Sequence, residues 1–349
     1  MVRKISFPGL GIKELTLNSV AFEIFGLEIA WYALIITLGM ILAVLYTMYR
    51  AKAVGIDYEQ IIDFAIFVVP IGILGARLYY VLCELDQYDT FWEVFNIRQG
   101  GLAIYGGIIA GALTVFAVCK YKKIPFPAFG DCIVPGLILA QAIGRWGNFM
   151  NVEAFGSVTA APWRMCGTSI AAYLSNQITS EEIRGILDGS LGVHPTFFYE
   201  SFWNIIGFVA INFFYKHKRY DGQIILLVFG WYGLGRAWIE GLRTDSLYIP
   251  GTPIRVSQLL AIIIFAACLG LLIYFAVKPP KKPLYHKEPA VAEGRVPNKT
   301  KKKAPVAIES ERCTAPEVVT PDDSKEPAES GAETKSEDIP EDNTETTES

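Results

Sequence analysis

Seven mostly apolar stretches punctuate the chain, each close to the ~20 residues that a helix needs to cross a hydrocarbon core of about 30 Å. They run roughly over Ile29–Tyr49, Ile61–Leu82, Leu102–Cys119, Cys132–Met150, Thr196–Tyr215, Ile224–Ile239 and Val256–Val277. Pro135 and Arg145 interrupt the fourth stretch and Arg236 the sixth. The pattern predicts an all-α integral membrane protein with seven transmembrane helices over 29–277. A segment 1–28 precedes them, 151–195 forms a long outer loop, and a polar tail follows over 278–349. No short apolar run ending at a small-residue cleavage site precedes the first long helix, so no cleavable signal peptide is expected.

Lys and Arg in the short loops orient the bundle. Arg50 and Lys52 follow the first stretch, Lys120, Lys122 and Lys123 the third, and Lys216, Lys218 and Arg219 the fifth; the seventh runs out into Lys278, Lys281 and Lys282. The alternate connections are acidic (Glu84, Asp86, Asp89, Glu93) or carry only Arg164 and Arg184. This places the N-terminus outside and the C-terminus in the cytoplasm, although Arg3, Lys4 and Lys13 run against the rule.

Composition sharpens the picture. The chain is 52% hydrophobic and only 19% charged, whereas soluble domains carry about a quarter charged residues. Residues 278–349 hold 12 basic and 16 acidic side chains, leaving 19 of each in residues 1–277, so the net charge of −4 belongs to the tail. No basic face exists to neutralise phosphates along a nucleic acid, which argues against that class of partner. The tail is basic over Lys278–Lys303 and acidic over Ala304–Ser349; poor in apolar residues, it is expected to be disordered, its basic part resting on anionic membrane lipids. The six cysteines (Cys83, Cys119, Cys132, Cys166, Cys268, Cys313) and three histidines (His194, His217, His286) show no metal-ligand spacing, and no metal is expected.

Ionisable residues within spans are costly and usually face the protein interior. Here they are Asp63, Arg77, Asp131, Arg145, Glu200, Arg236 and Glu240. Asp63 with Arg77, or Asp131 with a neighbour, are candidate structural pairs. Arg145, Glu200, Arg236 and Glu240 fall in polar phrases gathered toward the outer side. Gly100-Gly101 and Gly106-Gly107 frame the start of the third stretch, suiting either an anion site of exposed amides or small-residue helix packing. Gly144 to Gly156 holds Arg145, Asn148, Asn151 and Glu153, with Arg145 and Asn148 one turn apart. His194-Pro195-Thr196 opens the fifth stretch, where Thr196 or His194 is a candidate cap; Glu200 one turn inside needs a partner. Tyr232, Arg236, Glu240 and Arg243 form one helical stripe, in which Arg236 and Glu240 are placed to pair. Two guanidinium forks near carboxylates describe a site for a phosphate-bearing lipid headgroup.

These phrases resemble the bacterial phosphatidylglycerol–prolipoprotein diacylglyceryl transferases over residues 20–277. Gly144–Gly156 reads as that family's G-R-x-G-N-F-x-N-x-E-x-x-G, and the glycine pairs, the His-Pro-Thr-x-x-Tyr-Glu run and the Tyr-x-x-x-Arg-x-x-x-Glu-x-x-Arg stripe follow in the right order. The resemblance implies transfer of the diacylglyceryl group of phosphatidylglycerol to the lipobox cysteine thiol of a prolipoprotein, with glycerol phosphate leaving and no cofactor. It implies that Arg145 and Arg236 hold the phosphate. Asn148, Asn151, Glu153, Gly156, Glu240 and Arg243 would orient the headgroup, with Gly106 and Gly107 lining it. Tyr32 and Tyr232 fall where the family keeps functional tyrosines. Tyr105 stands where many members have a histidine, which leaves the proton acceptor open between Glu153, Glu240, Tyr105 and the positive field of the arginines. The alternative class is a transporter or lipid-moving protein for an anionic substrate; internal repeats, which such folds usually show, are not visible.

Overall fold

The computed structural model describes residues 2–87, 93–94, 100–249, 251–280 and 284–286. Its long helices are α1 (Trp31–Ala53), α2 (Tyr58–Cys83), α3 (Ile104–Tyr121), α4 (Phe126–Met150), α7 (Thr196–Phe214), α8 (Gln223–Ile239) and α9 (Val256–Val277). Six of them are long and apolar enough to cross a membrane; α8 falls short of the rest. At 17 residues it spans about 26 Å, a little under the hydrocarbon thickness, and passes into a 3-10 turn over Glu240–Leu242. Arg243 therefore stands on extended backbone beyond the helix, so the expected stripe bends at its outer end.

α4 is the most enclosed of the six, packing on α1, α7 and α8. Small residues allow this: a Cβ on Gly136 would lie 2.9 Å from the Ala43 carbonyl of α1. Between α7 and α8, Trp203 and Trp231 stack 4.4 Å apart, and each indole N–H donates to the other's carbonyl, at 3.0 and 2.9 Å. Gly207 and Gly235 make room for these rings, since a Cβ at either would come within 2.2 Å of an indole nitrogen. This lock sets the register of the two helices that carry Glu200 and Arg236.

At the end bearing the basic loops, the buried ions are structural. Asp131, fully buried, accepts from the amides of Gly222 (2.7 Å) and Ile225 (2.9 Å) at the start of α8 and pairs with Lys218 at 2.9 Å. The Asp63–Arg77 pair does not form: Asp63 binds Lys122 at 2.7 Å, whereas Arg77 donates to the carbonyls of Glu93, Val94, Gly100 and Gly101. The two residues lie nearly four turns apart on α2, too far to meet.

The segment expected only as an outer N-terminus is built of hairpins: β1 (Val2–Phe7) with β2 (Ile12–Asn18), and β3 (Val20–Ile24) with β4 (Leu27–Ala30). The loop over 151–195 contains β5 (Val158–Thr159), α5 (Thr168–Leu174), α6 (Ser180–Asp188) and β6 (Gly192–Val193). The first hairpin and this loop share one apolar cluster, including Ile5, Leu17, Met165, Ile170, Leu174 and Val193, and Ser6 and Cys166 exchange backbone hydrogen bonds at 2.9 Å. α6 starts on a capping box between Thr179 and Glu182. By contrast, neither Thr196 nor His194 caps α7; Pro195 takes the cap position, and the Thr196 hydroxyl donates to the Ala154 carbonyl. Of the expected tail, the Tyr285 amide stays with the bundle, donating to Asp221 at 2.9 Å. The expected disorder of the acidic stretch lies outside the described residues.

Candidate active site

Glu200, one turn into α7, is the hub of the charges at the end of the bundle away from the basic loops. Its carboxylate pairs with Arg145 from α4, with Arg236 from α8 at 3.2 Å, and with Arg243 beyond α8 at 3.2 Å. Arg236 also meets Glu240 at 2.6 Å, one turn on, and Arg243 grips Asp245 through two bonds of 2.8 and 2.6 Å. Three guanidiniums thus face three carboxylates from Glu200, Glu240 and Asp245, a balanced set that lowers the cost of burying it. Burial works against both Arg243 and Asp245 as ions, yet their mutual hydrogen bonds prevail, holding the guanidinium above and the carboxyl below its ordinary range.

The residues around this hub are fixed by specific local features. Arg145 Nη1 donates to Asn148 Oδ1 at 3.4 Å, as their one-turn spacing predicts. α4 then ends at Met150, and the chain reverses through Val152 and Ala154, both at positive φ (47° and 55°). A β-branched residue in that region is uncommon; here the turn brings Glu153 back over the helix end. Its Oε1 accepts from Asn148 at 2.9 Å and from Asn151 at 3.3 Å. Among the described residues, Glu153 forms no ion pair.

Gly156 serves backbone approach. Its amide donates to the His194 carbonyl at 2.8 Å, it bridges Arg243, and a Cβ would lie 2.9 Å from the Leu242 carbonyl. In this way it ties the Arg243 segment to the end of α4. Gly147 has a comparable reason: a Cβ there would meet the Tyr32 ring of α1 at 2.7 Å. Tyr232 sits one turn before Arg236, and with Glu200, Trp203, Asn204, Gly235, Arg236 and Ile239 it lines a small cavity. Tyr105 opens α3 in the electrostatic neighbourhood of Tyr232, but among the described residues it makes no hydrogen bond to the arginine network.

The glycine pair at the start of α3 packs closely on α2. A Cβ on Gly106 would come within 2.3 Å of the Gly75 carbonyl of α2, and one on Gly107 would sit 3.4 Å from that of Gly72. Both face α2 rather than the charged cluster.

Three participants escaped the sequence reading. Glu200 stands out in sequence only by its need of a partner; its proximity to three arginines arises from three chain segments. Asp245 lies two residues past the stripe and clamps Arg243. Arg255, at the cap of α9, donates to the Glu240 carbonyl, and no local pattern announces it.

Comparison with known proteins bears on this arrangement. A family model described as prolipoprotein diacylglyceryl transferase matches residues 19–274. Among similar proteins, the phosphatidylglycerol–prolipoprotein diacylglyceryl transferase 1 of Clostridium perfringens is 44% identical over 259 residues, covering 71% of this chain and 90% of its own length. Those of Clostridioides difficile and Enterococcus faecalis are each 40% identical, covering 71% and 78% of this chain and 91% and 95% of their own. The match runs from the hairpin before α1 into the last turns of α9 and contains the whole arginine cluster: the chain belongs to the prolipoprotein diacylglyceryl transferase family.

Proposed function

We propose that this chain transfers the diacylglyceryl group of phosphatidylglycerol to the lipobox cysteine thiol of prolipoproteins, the first step of lipoprotein maturation. The observation that carries the reading is the convergence of Arg145, Arg236 and Arg243 on Glu200 from three separate segments.

The charge bookkeeping of the reaction suits this cluster. A thiolate and a phosphodiester monoanion become a neutral thioether and a phosphate monoester dianion. The sulfur–carbon bond forms as the bond between the glycerol carbon and the phosphate oxygen breaks, and negative charge moves from sulfur onto phosphate. Arg145 and Arg236 supply fixed donors where that charge accumulates, which is where preorganised groups contribute most. Glu200 and Glu240 hold the two forks in place before lipid arrives, and Asp245 does so for Arg243.

The thiol, ordinarily near pKa 8.5, must lose its proton. Glu200 and Glu240 are engaged by guanidiniums, whereas among the described residues Glu153 is held by two amides at the outer edge of the site. We assign the proton acceptor to Glu153; Tyr105 is left as a hydrogen-bond donor to the substrates. Asn148 and Asn151 orient Glu153, and Tyr32 and Tyr232 border the headgroup.

The multi-pass bundle would lie in the bacterial cytoplasmic membrane with the arginine cluster and N-terminus outside. The basic loops lie at the opposite end of α4 from Arg145, as positive-inside orientation requires. Incubation of the purified protein with phosphatidylglycerol and a lipobox peptide tests the assignment. Thioether should form with the cysteine peptide and be absent with its Cys→Ser counterpart.

A further inference from the structure

The hairpin of β3 and β4 feeds straight into the first spanning helix: Ala30 ends the strand and caps α1, and the Trp31 amide closes the base by donating to Ser19 at 2.9 Å. Its register pairs Phe22 with Ile29, Glu23 with Glu28 and Ile24 with Leu27. Since paired residues share a face and faces alternate along a strand, Phe22, Ile24, Leu27 and Ile29 form one apolar side, and Glu23 and Glu28 the other.

Among the described residues, that apolar side has little protein cover away from Ile29 at its base. Phe22, Ile24 and Leu27 are exposed, and Phe25 at the tip is 100% exposed. The strands pack on each other and on the start of α1, and no other described element packs extensively on them. A two-stranded hairpin is at best marginally stable in water without something against its apolar face.

The tip adds an independent observation. Phe25 and Gly26 form a two-residue connection with both φ positive (50° and 76°), the requirement of a type I′ turn. Such turns favour Asn or Asp at the first position, and a bulky aromatic residue pays steric strain there. The chain places phenylalanine at this strained, outermost point.

We propose that the hairpin over residues 20–30 lies in the bilayer interface beside the site, with Phe25 among the acyl chains and Glu23 and Glu28 facing water. Three features favour lipid over a protein partner. The apolar face is continuous with a membrane span, Trp31 at the junction is an exposed aromatic of the kind that sits at headgroup level, and the like-charged Glu23–Glu28 pair is tolerable only toward solvent. By flanking Tyr32, an anchored hairpin would fix the outer end of α1 against the lipid from which the site draws its donor. The membrane anchoring itself does not depend on the transferase reading.

The test replaces Phe25 with photoreactive p-benzoylphenylalanine in the full chain, reconstituted in vesicles of phosphatidylglycerol and phosphatidylcholine. Lys13, exposed on the other hairpin, is the control position. Irradiation with and without a lipobox peptide is followed by mass analysis of the labelled segment, in samples whose unfolding temperature matches wild type. The proposal expects a phospholipid adduct at position 25 exceeding that at position 13 by about tenfold or more, the preference that burying one phenyl ring provides. Equal yields at the two positions, an adduct to a second copy of the chain, or an adduct to the peptide in place of lipid would each overturn it. Because the readout needs no thiol transfer, its failure is distinct from failure of the proposed activity.

Discussion

Glu200 Oε1 takes a hydrogen bond from Arg236 at 3.2 Å across the contact of α7 and α8, and the same oxygen serves Arg243. One carboxylate thus sets the positions of forks carried by different segments. Replacing an arginine removes phosphate stabilisation directly: Arg145→Ala and Arg236→Ala should lower transfer about 10²–10³-fold or more while the protein remains inserted. Glu200→Gln should act through folding as well, costing roughly 3–5 kcal/mol because it leaves buried guanidiniums uncompensated. Turnover measured beside thermal unfolding in detergent separates the two effects.

Assignment of proton transfer to Glu153 has a pH signature. Without that base the reaction depends on spontaneous thiolate, whose fraction rises toward the thiol pKa of about 8.5. Glu153→Gln should therefore be strongly impaired at pH 6.5 and recover progressively toward pH 8.5, whereas wild type varies less. A constant activity ratio across that range would exclude Glu153 as the base.

The two glycines opening α3 should behave differently if their role is packing. Gly106→Ala drives a methyl into the Gly75 backbone at 2.3 Å and should cost about 1–3 kcal/mol, whereas Gly107→Ala meets the Gly72 carbonyl at a tolerable 3.4 Å. Unfolding temperatures of the two variants decide this. Loss of transfer in Gly107→Ala at unchanged stability would favour the anion-site reading.

His194 offers a pH effect on stability. Burial lowers its pKa below the ordinary 6.5, and Nδ1 lies 3.1 Å from the Tyr199 hydroxyl. As pH falls through 6.5 the unfolded chain takes up the proton first, so stability is lost from there down to the folded-state pKa and is unaffected above. His194→Gln should flatten that fall in unfolding temperature between pH 7.5 and 5.

Six of the seven expected spans were legible because apolar runs of about twenty residues stand out, whereas the shorter α8 does not meet that length; the Arg236–Glu240 pair was legible because helical spacing places it. The Arg145–Asn148 contact followed from the same rule. Glu200 as a hub was not legible: it depends on the register between α4, α7 and α8, set by the reciprocal Trp203–Trp231 bonds and the glycines beneath them. The hairpin over residues 20–30 did leave a signal, an apolar–acidic alternation around Phe25-Gly26, which the neighbouring span overshadowed. Asp63 and Arg77 looked complementary in a list of charges, but helix geometry sends one to Lys122 and the other to loop carbonyls.

The most direct test of the central claim is the stoichiometry of a single reaction. Purified protein, phosphatidylglycerol labelled in its headgroup glycerol and a lipobox peptide should yield one released glycerol phosphate per peptide thioether, and neither product with the Cys→Ser peptide. Absence of both products, with labelled lipid instead moving between leaflets, would contradict the account.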